Sequence, residues 1–160
     1  MTSQFYRSGS ENLLQGGMNW KSARVRVALL TDGYEIDPDK HKTMADVAPW
    51  EVGGTNYDRK PLLNRRLDGW VAKADDIVWR SLGPTWAPVG NAVLYIEGKT
   101  DRESVLIACF ALDAIQPNGG DLSLKWGAAV MVFGSHLVGR SESIPREPRT
   151  AWDRLGELDL

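Results

Sequence analysis

Apolar and polar residues alternate with a period of two along most of the chain up to Phe133. In the stretch 24–29, Val25, Val27 and Leu29 share one face, and Arg24 and Arg26 take the other. That pattern predicts a half-buried strand ending at a Thr31-Asp32-Gly33 turn. Residues 39–47 follow Asp37-Pro38 with Met44 and Val47 as an apolar stripe, which predicts a short helix. Strand pieces are expected over 55–57 and 60–67, then over 70–73 and 77–79 around an Asp75-Asp76 turn. The stretch 91–97 carries Val93 and Tyr95 on one face and Leu94 and Ile96 on the other. A strand apolar on both faces belongs in the middle of a sheet. The run 104–112 suits strand or buried helix by period alone. Its length, β-branched start and the Pro117-Asn118-Gly119-Gly120 turn after it favour strand. Residues 122–126 alternate again, and 128–133 close the pattern.

About eight short strands and at most one short helix follow, with a turn signal about every ten residues. This spacing predicts an all-β fold, an antiparallel β-sandwich or partly open barrel. Three zones are expected: an N-terminal arm (1–18) containing Leu13 and Leu14, a β-sandwich domain (19–133), and a C-terminal arm (134–160). In the last zone Trp152, Leu155 and Leu158 fall at i, i+3 and i+6, one face of a short amphipathic helix. So short a helix needs a surface, on its own domain or on a partner.

The 160 residues suffice for one domain with a substantial core, and 42% hydrophobic with 25% charged content is that of a globular chain. A net charge of −2 argues against nucleic-acid or anionic-membrane binding driven by bulk charge. No apolar run approaches the roughly 20 residues that span a bilayer, and MTSQFYRSGS lacks the apolar region of a signal peptide. The single cysteine, Cys109, permits no internal disulfide. It lies in an apolar run, where a thiol is buried and inert.

Signals of catalysis are thin. No nucleophile elbow, P-loop, dinucleotide fingerprint or zinc-protease motif is present, and His41 and His136 have no companion at ligand spacing. Surface positions are expected for both histidines. Glu35, Asp37 and Asp39 alternate as calcium ligands might, but a solvated loop capping the next helix fits better. Asp75 and Asp76 are adjacent, so on a strand they diverge, and a turn role is expected. No catalytic residue, metal site or cofactor is therefore expected.

Arg59, Lys60, Arg65 and Arg66 form the one local basic cluster, a possible electrostatic contact. Asp58 and Asp68 flank it, which favours a solvated face with rim salt bridges. The seven tryptophans divide. Trp79 and Trp126 sit in alternating strands and belong in the core; Trp20 lies ahead of the first strand. Trp50 and Trp86 lie beside prolines in loops, as candidate partner anchors, and Trp152 lies in the tail. An exposed tryptophan platform for sugar is the other use of such residues.

Several stretches together resemble a recurrent virion protein family of tailed bacteriophages. The run from Asn19-Trp20 through Arg24 to Thr31 resembles its W…x-V-A-L-L-T strand. Tyr34, Asp37, His41, Asp46-Val47 and Glu51-Val52-Gly53-Gly54-Thr55-Asn56-Tyr57 follow in the family's order. Residues 74–79 are similar to its A-D-D-V-x-W strand, 92–95 to A-V-I-Y, and 119–126 to a closing G-x-F-x-I-x-W strand. The match spans about residues 12–133. It departs where 57–70 is more basic and where the chain runs on past Phe133.

The resemblance implies a small, non-enzymatic β domain in the phage particle, assembled in the host cytoplasm. The expected partners are the major capsid protein or tail and neck proteins. A capsid decoration or minor capsid protein is the first expectation, bridging subunits through its arms as a symmetric homo-oligomer. A neck, tail or baseplate component and a carbohydrate-binding module are the alternatives. Neither membrane nor nucleic acid is expected as a partner.

Overall fold

A computed structural model describes residues 2–132. The residues expected to form the C-terminal arm, with Trp152, Leu155, Leu158 and His136, lie outside the described residues.

The chain is built of antiparallel strands. In order they are β1 (Thr2–Phe5), β2 (Val25–Thr31), β3 (Lys60–Pro61), β4 (Arg66–Asp68), β5 (Val71–Lys73), β6 (Ile77–Trp79), β7 (Val89–Ile96), β8 (Val105–Ile115), β9 (Leu122–Leu124) and β10 (Met131–Val132). Helix α1 (Arg7–Leu14) follows β1, and α2 (Met44–Val47) follows β2. Five strands form the central sheet in the order β1-β8-β7-β2-β3, a second sheet runs β10-β5-β4, and β6 pairs with β9.

The alternation expected over 24–29 sets the central sheet. Val25, Val27 and Leu29 join Ala92 and Leu94 of β7 and Phe110 of β8 in the larger core. The two smaller sheets close over that face with Trp79, Leu124, Trp126 and Met131, which makes a sandwich. At the step between Leu94 and Tyr95 the register of β7 on β8 shifts, and both Ile107 and Ala108 turn toward the larger core.

The opposite face of the central sheet is also covered. Ala28, Leu30, Val93, Tyr95, Leu106 and Cys109 form a second core with Tyr6, Tyr34, Met44 and Val47. The wet face suggested by Arg24 and Arg26 thus ends at Ala28, and β7 is central with both faces buried. The short helix expected over 39–47 is one turn, Met44–Val47, started by a reciprocal cap between Thr43 and Asp46.

The first zone differs from the arm expected. β1 pairs with β8 from Thr2↔Ala111 to Phe5↔Ala108, and α1 lies on the same strand. A second short helix therefore stands where at most one was expected. Gly9 makes the packing possible, because a Cβ there would sit 2.6 Å from the Ile107 Cα. Tyr6 is fully buried, Leu13 half-buried and Leu14 exposed.

Candidate functional site

Three arrangements of side chains stand out. The first is a polar chain inside the second core. The Tyr6 and Tyr34 hydroxyls lie 2.7 Å apart, and the Tyr34 hydroxyl lies 2.7 Å from His41 Nδ1. The Asp37 N–H also donates to Nδ1, which therefore acts as an acceptor. At the inner end Tyr6 hydrogen-bonds the Cys109 thiol, which approaches Asn91 Oδ1 at 3.8 Å. Burial pushes both phenols well above their ordinary value and the Cys109 thiol up to about 11.

His41 is thus half-buried and bonded rather than a free surface histidine. Trp50, expected as a loop anchor, packs edge-on to Tyr34 with ring centres 5.3 Å apart and lies 6.0 Å from the His41 ring. The polar chain was not legible in advance, because Tyr6 and Tyr34 are 28 positions apart.

The second arrangement is centred on Arg59. Its guanidinium forks onto the Glu51 carboxylate (2.7 and 2.8 Å) and onto Asp101 (2.8 and 3.1 Å). Tyr57 donates to Glu51, and the Tyr95 ring lies beneath the guanidinium at 5.7 Å. The forked bonds to Glu51 and Asp101 hold the Arg59 cation charged, and the same bond holds the Asp101 carboxyl below the usual range. Burial and the neighbouring Glu51 push the Tyr57 phenol up.

The other basic residues scatter. Lys60 pairs with Asp58 at 3.1 Å, and Arg66 approaches Asp75 at 3.8 Å. Arg65 donates to the carbonyls of Trp20, Leu62 and Ala23. What reads as one basic cluster is four side chains, each engaged inside its own domain. Asp75 and Asp76 tie down Trp126 through the Asp75 carbonyl and the Asp76 carboxylate, a structural role at the turn.

The third arrangement is apolar and exposed. Trp79 and Trp126 are buried, as expected, and so is Trp20. Trp86 is 63% exposed, with its indole N–H donating to the Glu51 carbonyl. Trp70 is 69% exposed at the tip of the β4–β5 hairpin. Leu63 and Leu67 are exposed in the same stretch, and Leu14 and Ile115 elsewhere. An open groove of about 410 Å³ runs between the end of β8 and β9, lined by residues 111–115 and 122–125.

No protein-family model matches the chain, and neither a curated protein nor a solved structure matches it. No helix among the described residues is long and apolar enough to cross a membrane.

Proposed function

We propose that this chain is a non-enzymatic structural protein of a tailed-phage particle, attached to the capsid as a decoration or minor capsid protein. The observation that carries the reading is the exposed apolar set. Leu67 and Trp70 fall within the β4–β5 hairpin, Leu63 lies just ahead of it, and Trp86 stands out at a loop. Large apolar side chains gathered on one surface element are a feature of protein contacts, where tryptophan is an energetic anchor. The charged groups point the same way. Arg59 and Lys60 of the basic stretch are paired with carboxylates of the chain and Arg65 is spent on backbone carbonyls, which favours packing over bulk charge in holding a partner.

The stretches that resemble the virion family also share one body. Trp20, Val27, Val52, Ile77, Trp79, Ala92, Leu124 and Trp126 all lie in the larger core. Their order along the chain is therefore matched by contact in space.

Incorporation into particles tests the proposal. Phage carrying a chain cut before residue 140 is compared with phage carrying Trp70→Ala and Trp86→Ala. Loss of the protein from purified particles, with the variant still folded, is the expected result. Normal incorporation of all three variants overturns the contact surfaces assigned here. Gold labelling on the shell supports the capsid, and labelling at the neck or tail moves the protein there. A glycan array with no response removes the carbohydrate reading.

A further inference from the structure

We infer that β4 is a self-complementary edge through which two copies of this chain pair, antiparallel, about a two-fold axis at Leu67. The inference is independent of the particle reading, because it rests on the edge alone.

β4 ends the sheet β10-β5-β4, and no strand among the described residues pairs with its outer side. The hydrogen-bonding phase of that edge follows from its neighbours. The Ala72 carbonyl accepts the Val130 N–H at 2.8 Å, so the Ala72 backbone faces β10. Leu67 stands opposite Ala72. In an antiparallel ladder such a pair exchanges no bonds, and Leu67 must turn its N–H and C=O to the open side. Consistent with this phase, the Arg66 and Lys73 carbonyls lie between the strands, where both receive the Trp20 indole N–H at 3.1 and 3.3 Å.

A second copy brought up antiparallel, Leu67 to Leu67, exchanges two backbone hydrogen bonds at the axis. The same register sets Arg66 against Asp68 of the other copy, twice. The triplet Arg-Leu-Asp is thus its own electrostatic complement. Arg66 and Asp68 have exposed partners within the chain, Asp75 at 3.8 Å and Lys73 at 3.3 Å, and with side chains 47% and 76% exposed both can re-pair across the axis. Leu67 lies on the face that Ala72 buries, yet is 51% exposed, because no described strand stands beside it at the edge. In the pair the two Leu67 side chains cover each other across the axis. Edge strands left open in this way are the usual route for chain-to-chain sheet extension, and the contact is isologous.

Sedimentation of the full chain tests the pairing, with circular dichroism confirming that each variant is folded. The wild type is expected to associate reversibly to a dimer. Arg66→Asp and Asp68→Arg each set like charges against each other twice, and each lowers the association constant about tenfold or more. An equimolar mixture of the two variants restores opposite charges at both positions and forms the heterodimer. The double variant R66D/D68R restores self-association. A wild type that stays monomeric up to about 1 mM overturns the proposal. So do single variants that associate as the wild type does, or a mixture that fails to recover.

Discussion

The Tyr6–Tyr34 bond can be weighed by a double-mutant cycle. Tyr6→Phe keeps the ring in its pocket and removes only the hydroxyl, which is wholly inaccessible to solvent. The Tyr34 hydroxyl then keeps His41 as its partner and loses the 2.7 Å contact with Tyr6. A lost bond of this kind costs about 1–1.5 kcal/mol. Tyr34→Phe is the harsher change. It leaves the buried Tyr6 hydroxyl with only the weak thiol of Cys109, at about 1.5–2 kcal/mol. In Y6F/Y34F neither hydroxyl remains to be orphaned, so the double variant costs less than the sum by about 1 kcal/mol. Urea titrations followed by tryptophan fluorescence at pH 7 give the four stabilities. The cycle also has a pH signature. Both phenols are raised in the fold, so their contribution is complete below the unfolded value near 10 and is lost as pH climbs past it. Y6F therefore has a shallower alkaline limb than the wild type. Additivity within about 0.3 kcal/mol would refute the hydrogen-bonded chain.

Gly9→Ala forces a Cβ against the Ile107 backbone and lifts α1, at about 1–3 kcal/mol. Hydrogen exchange should quicken over residues 7–14 while the β2 and β7 amides stay protected. Arg59→Met strands Glu51 and Asp101 and costs about 2–3 kcal/mol, less than a fully buried pair because the site is part-exposed. Arg59→Lys recovers only part of this in thermal melts, since an ammonium cannot fork onto both carboxylates. Burial works against the ionised Asp46 carboxyl, but the Lys42 and Thr43 N–H groups outweigh it and hold its pKa down. Its contribution is therefore present above the unfolded value near 3.9 and lost as pH falls through the folded one. Asp46→Asn costs about 0.5–1 kcal/mol at pH 7, and the difference from wild type narrows in acid denaturation below pH ~4. Cys109 should resist a thiol reagent at pH 8 in the native chain and react fully in denaturant; rapid native labelling would contradict its burial.

The main strands were legible: β2 by its period of two, and β7 and β8 by short apolar runs bounded by turn residues, because burial selects those patterns. β1 was not, since three of its four residues are exposed and its pairing with β8 is made by backbone groups. α1 was hidden too. Ser8, Gly9 and Ser10 are poor helix formers, and the helix exists because Tyr6 and Gly9 dock it on the sheet. The basic stretch misleads for the converse reason. Its residues are adjacent in sequence, yet Arg59 reaches Asp101, 42 positions away, while Arg65 folds back onto Trp20, 45 positions away. Trp79 and Trp126 were placed correctly by the alternation around them, but Trp70 sits at a turn, where alternation carries no information.

The pairing of β1 with β8 joins residues more than a hundred positions apart, Thr2 with Ala111. Contacts of such long range form late, because the entropy of closing the loop comes before the reward. During synthesis β1 is made about a hundred residues ahead of β8 and must wait for it. Until β8 emerges, the backbone groups of β1 have no sheet partner and are open to another chain. At a synthesis rate of roughly 5–20 residues per second, that exposure lasts for seconds on every ribosome. In a cell making many copies at once, this interval is when the β1 of one copy can pair with the β8 of another.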